Sequence, residues 1–218
     1  LVDAVREKSA TAMHLGYEVK ALQQTPVRVT VHFMNGESAQ GDLLVGADGV
    51  RSVIRKELFD IEDGQFTGMA AWRMTIPTHR LPQNLVPPNA TVWVGAGKHV
   101  VTYYLRGGEL VNLVGVVEQI DWPYDSWTCR GNKHDILASY EGWHPTIRRI
   151  MEAGDEMEYY QWALRELAPL VTWSKGRATL LGDACHAMLP FMAQGAVMAI
   201  EDAWVLAAKL AAYPQDIA

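Results

Sequence analysis

Cysteine, phenylalanine and excess positive charge are scarce in this sequence. Its 218 residues hold two cysteines, four phenylalanines, and 19 Lys or Arg against 25 Asp or Glu, for a formal net charge of −6. Cys129 and Cys185 lie far apart and form neither a CxxC pair nor a zinc spacing with the seven histidines, so a reduced, cytoplasmic setting is expected. The acidic balance leaves no electrostatic footprint for nucleic acid or an anionic membrane, and Arg148-Arg149 alone makes no patch. No run approaches the ~18 uncharged apolar residues of a membrane span. The basic segment and apolar core of a signal peptide are missing too. The first residue is Leu1, and Leu1, Val2 and Val5 already show helical spacing. The expectation is a chain that starts inside a helix, hence a fragment.

What is present is an ordinary globular balance, 49% hydrophobic and 20% charged, in a length that suits one large domain or two small ones. Residues 1–9 have the spacing of a helix tail and residues 12–24 read as a short strand. Val27, Val29, Val31 and Phe33 then alternate with polar residues up to Asn35-Gly36, a hairpin signal in which both turn positions take positive φ. The return strand runs into Leu43-Leu44-Val45, an apolar run expected to be covered on both faces. From about residue 66 to 118, β-branched and aromatic segments separated by Gly, Pro and Asn predict an antiparallel sheet with one solvated or ligand-facing side. Residues 133–153 predict two helices, broken before Pro145. Residues 177–182 predict a buried strand. Residues 195–212, rich in alanine, predict a long helix that stops near Pro214.

Two short segments carry chemistry. In LLVGADGVRSVIR (43–55) a strand ends in small residues, then Asp48-Gly49, then a helix start that Ser52 could cap. Asp48 could hold a ligand hydroxyl or amide, or simply cap the corner. In GRATLLGDACH (176–186) a second strand ends at Gly182-Asp183-Ala184, placing a carboxylate where ligands of open α/β sheets bind. Gly195 follows Gln194 and opens the long helix. Its first amides lack intrahelical partners and favour negative charge. The plainer alternative is a glycine that only eases the chain into the helix.

Taken in order, the two segments resemble the single-component flavoprotein monooxygenases, the family of p-hydroxybenzoate and salicylate hydroxylases. DGVRSVIR (48–55) is similar to the motif that lies near the FAD pyrophosphate and is linked to NAD(P)H use. GDACHAMLP (182–190) is similar to the motif whose aspartate binds the ribityl chain, and AQGA (193–196) with EDAWVLAAKL (201–210) to the flavin-contacting helix. FTGMAAWR (66–73), WVGAGKHVVTYYLRGGE (93–109) and GWHP (142–145) resemble the salicylate-hydroxylase branch. The resemblance implies an α/β fold, a partial Rossmann-like FAD-binding domain (1–65 and 176–218) with an inserted antiparallel-sheet substrate domain (66–175). It implies FAD as cofactor, NAD(P)H as co-substrate, a small aromatic partner and a possible homodimer. It also implies a cofactor set of Asp48, Gly49, Gly182, Asp183, Ala184, Pro190, Gln194, Gly195 and Ala196.

Two departures stand out. The family's N-terminal GxGxxG loop is absent, because Gly16, Gly36, Gly41 and Gly46 have other spacings. Val197 stands where relatives often carry a small or polar residue. Among single residues, Arg73 could clamp a substrate carboxylate or be an exposed strand arginine. Tyr103 and Tyr104 point to opposite faces, one toward a pocket. Pro190 and Phe191 either wall the flavin ring or pack a loop. His186 either tunes protonation or bonds backbone. Cys185 has no base spaced to activate it. Glu201 and Asp202 suit the start of the long helix, and Asp63 reads as a surface-loop residue. No catalytic residue and no metal ligand is singled out. The implied activity is hydroxylation of a salicylate-, hydroxybenzoate- or hydroxynicotinate-type acid through a flavin hydroperoxide. A non-catalytic fragment with little flavin, and a flavin oxidoreductase or epoxidase of apolar compounds, remain as alternatives.

Overall fold

A computed structural model describes residues 1–9, 12–124, 126 and 128–214. In chain order the elements are α1 (Val2–Lys8), β1 (Val19–Gln24), β2 (Val29–Phe33), β3 (Ser38–Gly41), β4 (Leu44–Gly46), α2 (Val53–Phe59), β5 (Gln65–Pro77), β6 (Thr91–Gly95), β7 (Lys98–Leu105), β8 (Leu110–Glu118), β9 (Thr128–Arg130), α3 (Lys133–Ser139), α4 (Pro145–Glu152), β10 (Tyr160–Glu166), β11 (Ser174–Lys175), β12 (Ala178–Leu180), α5 (Asp183–His186) and α6 (Gly195–Ala212). They form two compact units. The first comprises residues Leu1–Gln65 with Arg165–Ala218, and the second Phe66–Leu164. Among the described residues no helix is long and apolar enough to cross a membrane.

The second crossing falls eleven residues earlier than the sequence boundary of 175/176 (175 − 164 = 11). The reason is local pairing. Arg165 Nη1 donates to the Gly64 carbonyl at 2.9 Å, Leu167 N donates to Ala187 O at 3.1 Å, and Leu170 packs on the first unit's core.

In the first unit, β1–β2–β3 form an antiparallel sheet, while β4 pairs in parallel with β12 and β11 flanks β12. The expected single return strand is therefore two strands in two sheets. Val45 is 38% exposed, so β4 is not covered on both faces. The hairpin forms at the expected place by a different turn. Only Gly36 takes positive φ, at 86°, and Asn35 instead accepts Glu37 N–H on Oδ1 at 2.9 Å. Gly36 N donates to Phe33 O, as in a three-residue loop closed by a left-handed glycine. Arg177 ties this hairpin to β12, donating to Pro26 O at 2.7 Å and Asp42 O at 3.0 Å. Ile54, Leu58, Ala178, Leu180, Ala184 and Cys185 form the core.

In the second unit the strand order is β6-β7-β8-β5-β10-β9. Ala70, Trp72, Met74 and Ile76 of β5 and Val111, Leu113 and Val117 of β8 bury one face against Ile136, Tyr140, Ile147, Ile150 and Met151 of the α3–α4 region. The two helices stop and start where the sequence says. Asn132 caps α3 by accepting Asp135 N–H, and Pro145 occupies the first turn of α4, where a missing N–H does no harm. Tyr140 lies against Gly115 and reaches the Val116 and His99 carbonyls at 3.1 and 3.2 Å.

Burial raises the Tyr140 phenol strongly. It also pushes Tyr159 up to about 12, helped by Glu156, Asp155 and Glu152, and the Cys185 thiol up to about 12, helped by Asp202. These groups fold as neutral acids. In alkali the unfolded chain releases their protons first, so it binds fewer protons than the native state and stability falls as pH rises. The stabilisation is intact below their unfolded values of about 8.5–10 and is lost toward pH 12. Urea midpoints measured from pH 8 to 11 are expected to drop steadily, and Tyr159→Phe is expected to flatten that slope. A pH-independent midpoint would contradict this account.

Candidate functional site

Parallel pairing of β4 with β12 matches Leu44 to Ala178, Val45 to Thr179 and Gly46 to Leu180. The turns that follow, residues 47–52 and 181–186, therefore leave the same carboxyl edge side by side. A side chain at Gly46 has no room: a Cβ there would stand 2.8 Å from Ile54 Cγ2 and 3.0 Å from Leu180 Cδ2.

The two aspartates have different occupations. Asp48 Oδ1 accepts the Ser52 hydroxyl at 2.5 Å and its Oδ2 accepts Ile54 N–H at 3.1 Å, while Ser52 Oγ accepts Arg55 N–H at 2.9 Å. Both carboxylate oxygens thus serve the start of α2, the capping role weighed from sequence. Gly49, at φ +80°, leaves its backbone open, with nothing within 4 Å of a Cβ position. Asp183 is exposed, and among the described residues its carboxylate has no partner. It follows Gly182, whose φ of 62° and ψ of −140° only glycine adopts readily and whose Cβ would meet Ala199 of α6 at 3.1 Å. Asp183 Oδ1 lies 3.9 Å from the Cβ position of Gly195, at the start of α6.

Sequence reasoning missed two residues that hold these turns. Arg55 is fully buried. It donates to Ala184 O at 3.0 Å, Val50 O at 2.8 Å and Glu62 O at 3.3 Å, with Asp63 Oδ1 at 3.5 Å. Its guanidinium bridges the two motif turns. Burial lowers its pKa, and Asp63, Asp48 and Cys185 oppose that. The legible signal was an arginine between Ile54 and Leu58 on the apolar side of a short helix. Asp63 is accordingly no bystander surface residue, since it faces both Arg55 and Arg51. Asp202, assigned from sequence only to the helix start, accepts Gly182 N–H at 3.0 Å and stands 2.6 Å from His186 Nε2. His186 also meets Trp173 at 5.3 Å between ring centroids, which favours its structural role.

Cys185, His186 and Asp202 lie within 4.8 Å of one another. The 2.6 Å His–Asp separation is a hydrogen bond, closer than two ligands sit on one zinc ion, about 3.3 Å apart for ~2.0 Å bonds. The buried Cys185 thiol donates to Gly182 O at 3.2 Å, in keeping with an inert cysteine.

The remaining cofactor candidates lie around the start of α6. Pro190 and Phe191 sit exposed in a 3₁₀ turn, Gln194 stands at the N-cap without a side-chain capping bond, and Gly195 and Ala196 begin the helix. A Cβ on Gly195 would make only ordinary contacts of 3.8 Å or more, so packing does not demand glycine there. Ala184 is the exception in the set. Its side chain is sealed in the core and its carbonyl is taken by Arg55, so only its N–H side can face a ligand.

In the second unit, the sheet face turned away from α3 and α4 is ordered by register. One row reads Val94–His99–Val116–Ala71, the next Val92–Val101–Val114–Arg73, and the third Tyr103–Asn112–Thr75. Arg73 and Tyr103 therefore share this face, and Tyr104 lies on the core side, donating to Val86 O at 2.9 Å. Arg73 is exposed and stacks over Trp162 at 4.9 Å. Sequence reasoning passed over Asn112, a polar residue in an apolar strand, which is only 5% exposed.

A free carboxylate and a helix start without a side-chain cap stand at the carboxyl edge of parallel strands, the edge at which α/β sheets bind ligands. The chain belongs to the FAD binding domain family, whose pattern matches residues 1–217. It is 40% identical over 183 residues to a 6-hydroxynicotinate 3-monooxygenase of Pseudomonas fluorescens, covering 82% of this chain and 46% of that protein. It is 33% identical over 219 residues to a 3-hydroxybenzoate 6-hydroxylase of Aquipseudomonas alcaligenes, covering 99% and 66%. Among solved structures, a salicylate hydroxylase substrate complex superposes with a TM-score of 0.79 at 27% identity, covering 94% of this chain and 55% of that one. The chain spans about half the length of most of the curated relatives it matches.

Proposed function

We propose that the first unit is part of a Rossmann-like FAD-binding domain and the second a substrate domain, in an NAD(P)H-dependent monooxygenase that hydroxylates a small aromatic acid. The observation that carries this reading is the unpartnered Asp183 carboxylate, held on the Gly182 turn beside the open start of α6. Those residues fit FAD. Asp183 accepts hydrogen bonds from the hydroxyls of the ribityl chain. The amides of Gly195 and Ala196 would stabilise negative charge on the ring, and the missing side chain at Gly195 would let a flat group approach. Gln194, Pro190 and Phe191 border the same place. Asp48 acts through the α2 cap, and the open backbone at Gly49 would leave room for the cofactor's phosphates. When bound, FAD supplies the redox chemistry that activates oxygen. Arg73 and Tyr103 orient the aromatic acid on a face whose middle row is otherwise valine, the mix of apolar lining and few polar groups typical of small-molecule sites.

The sequence holds no glycine loop to cradle the pyrophosphate, so this chain is expected to bind FAD less tightly than a chain that carries one. Titrating the purified chain with FAD, followed by flavin fluorescence quenching, tests the reading: saturable one-to-one binding is expected. No quenching up to millimolar FAD would sink it.

A further inference from the structure

We propose that Asn112 is the residue that recognises a ring hydroxyl of the aromatic substrate. This rests on the reading of the second unit as the substrate domain and extends it to a residue outside the resemblance.

Asn112 is the third residue of β8, with β7 and β5 hydrogen-bonded on either side. Its side chain points to the face away from the helices, between Tyr103 and Thr75 and beside the row of Val92, Val101, Val114 and Arg73. It is 5% exposed, and its Nδ2 is buried with no hydrogen-bond partner among the described residues. Buried amides in native proteins are nearly always paired, so an orphan of this kind calls for a reason. Holding the sheet together is not that reason, because among the described residues its Nδ2 meets no acceptor. A leucine, branched in the same way, would fill the place without an unmet donor.

The geometry instead offers a buried amide next to a row of valines, with two half-buried hydroxyl residues flanking it and one arginine a row away. Such a face suits an aromatic ring carrying one carboxylate and one hydroxyl. The arginine meets the carboxylate, and the Asn112 amide donates to the hydroxyl oxygen. Only the nitrogen end of the amide is sealed without a partner, and a half-turn about χ2 exchanges the two ends without moving the backbone.

The test uses the full chain with FAD present and three probes: 3-hydroxybenzoate, 6-hydroxynicotinate and benzoate, which lacks the hydroxyl. Binding is followed by tryptophan fluorescence. The wild type is expected to prefer 3-hydroxybenzoate over benzoate about tenfold, the value of one well-placed hydrogen bond. Asn112→Leu is expected to bring that ratio close to one, keep benzoate affinity within about twofold and leave the melting temperature undiminished. Asn112→Ala gives the same ratio should leucine not be accommodated. An unchanged ratio in both variants, or equal weakening toward all three probes, overturns the role of Asn112 alone. A wild-type chain that binds FAD but none of the probes overturns the aromatic reading together with it.

Discussion

Asp183→Ala is expected to weaken FAD binding ten- to a hundredfold while leaving the melting temperature within about 2 °C of wild type. The two halves of this expectation come from one fact. The carboxylate is exposed and has no protein partner among the described residues, so its removal breaks nothing in the fold. A hydrogen bond from a ligand hydroxyl to a charged acceptor is worth about 1.5–3 kcal/mol, and that sets the loss in affinity. Asp183→Asn should fall between the two. Glu57, exposed on α2, is a suitable control, whereas Asp63 is not, because it faces the Arg55 guanidinium at 3.5 Å. Equal FAD affinity in Asp183→Ala and Glu57→Ala, read by fluorescence titration, would remove Asp183 from the site.

Arg55→Met is expected to be among the most destabilising substitutions in the first unit, by about 3 kcal/mol or more in urea unfolding. Methionine fills much of the volume but leaves the carbonyls of Ala184, Val50 and Glu62 without their donor; the Ala184 carbonyl is buried, and a buried orphan costs about 1–3 kcal/mol, with the two part-buried carbonyls adding less. Arg55→Lys should recover less than half of the loss, because one ammonium cannot reproduce a planar fork that reaches three carbonyls. The variant should also bind FAD less well, since the guanidinium links the turn before α2 to the turn that carries Asp183. A Met variant within 1 kcal/mol of wild type would show that the carbonyls find other donors and that the bridge is dispensable.

Several features were legible because they depend on short windows of chain. Pro145 fixed the break between α3 and α4, and alanine-rich propensity fixed α6 at residues 195–212. Asn35-Gly36 marked the hairpin, though the turn conformation differed because Asn35 found a backbone donor at Glu37. The strand periodicity of residues 66–118 gave the sheet and, with its register, put Arg73 and Tyr103 on one face. The compact units part at 164/165 because Arg165 and Leu167 pair with Gly64 and Ala187, which no local pattern announces.

By itself the sequence determined two strand–turn motifs, ending in Asp48-Gly49 and Gly182-Asp183, and the family they resemble. Tertiary structure decided which carboxylate is available. It closed Asp48 into a helix cap and left Asp183 open, brought Asp202 under Gly182, and buried Arg55 against a carbonyl 129 positions away. It also placed Asn112 opposite Tyr103 and Thr75. The division follows from range: turn and helix preferences are set by neighbouring residues, while the partner of a polar group is fixed only when distant segments pack and every buried donor must find an acceptor.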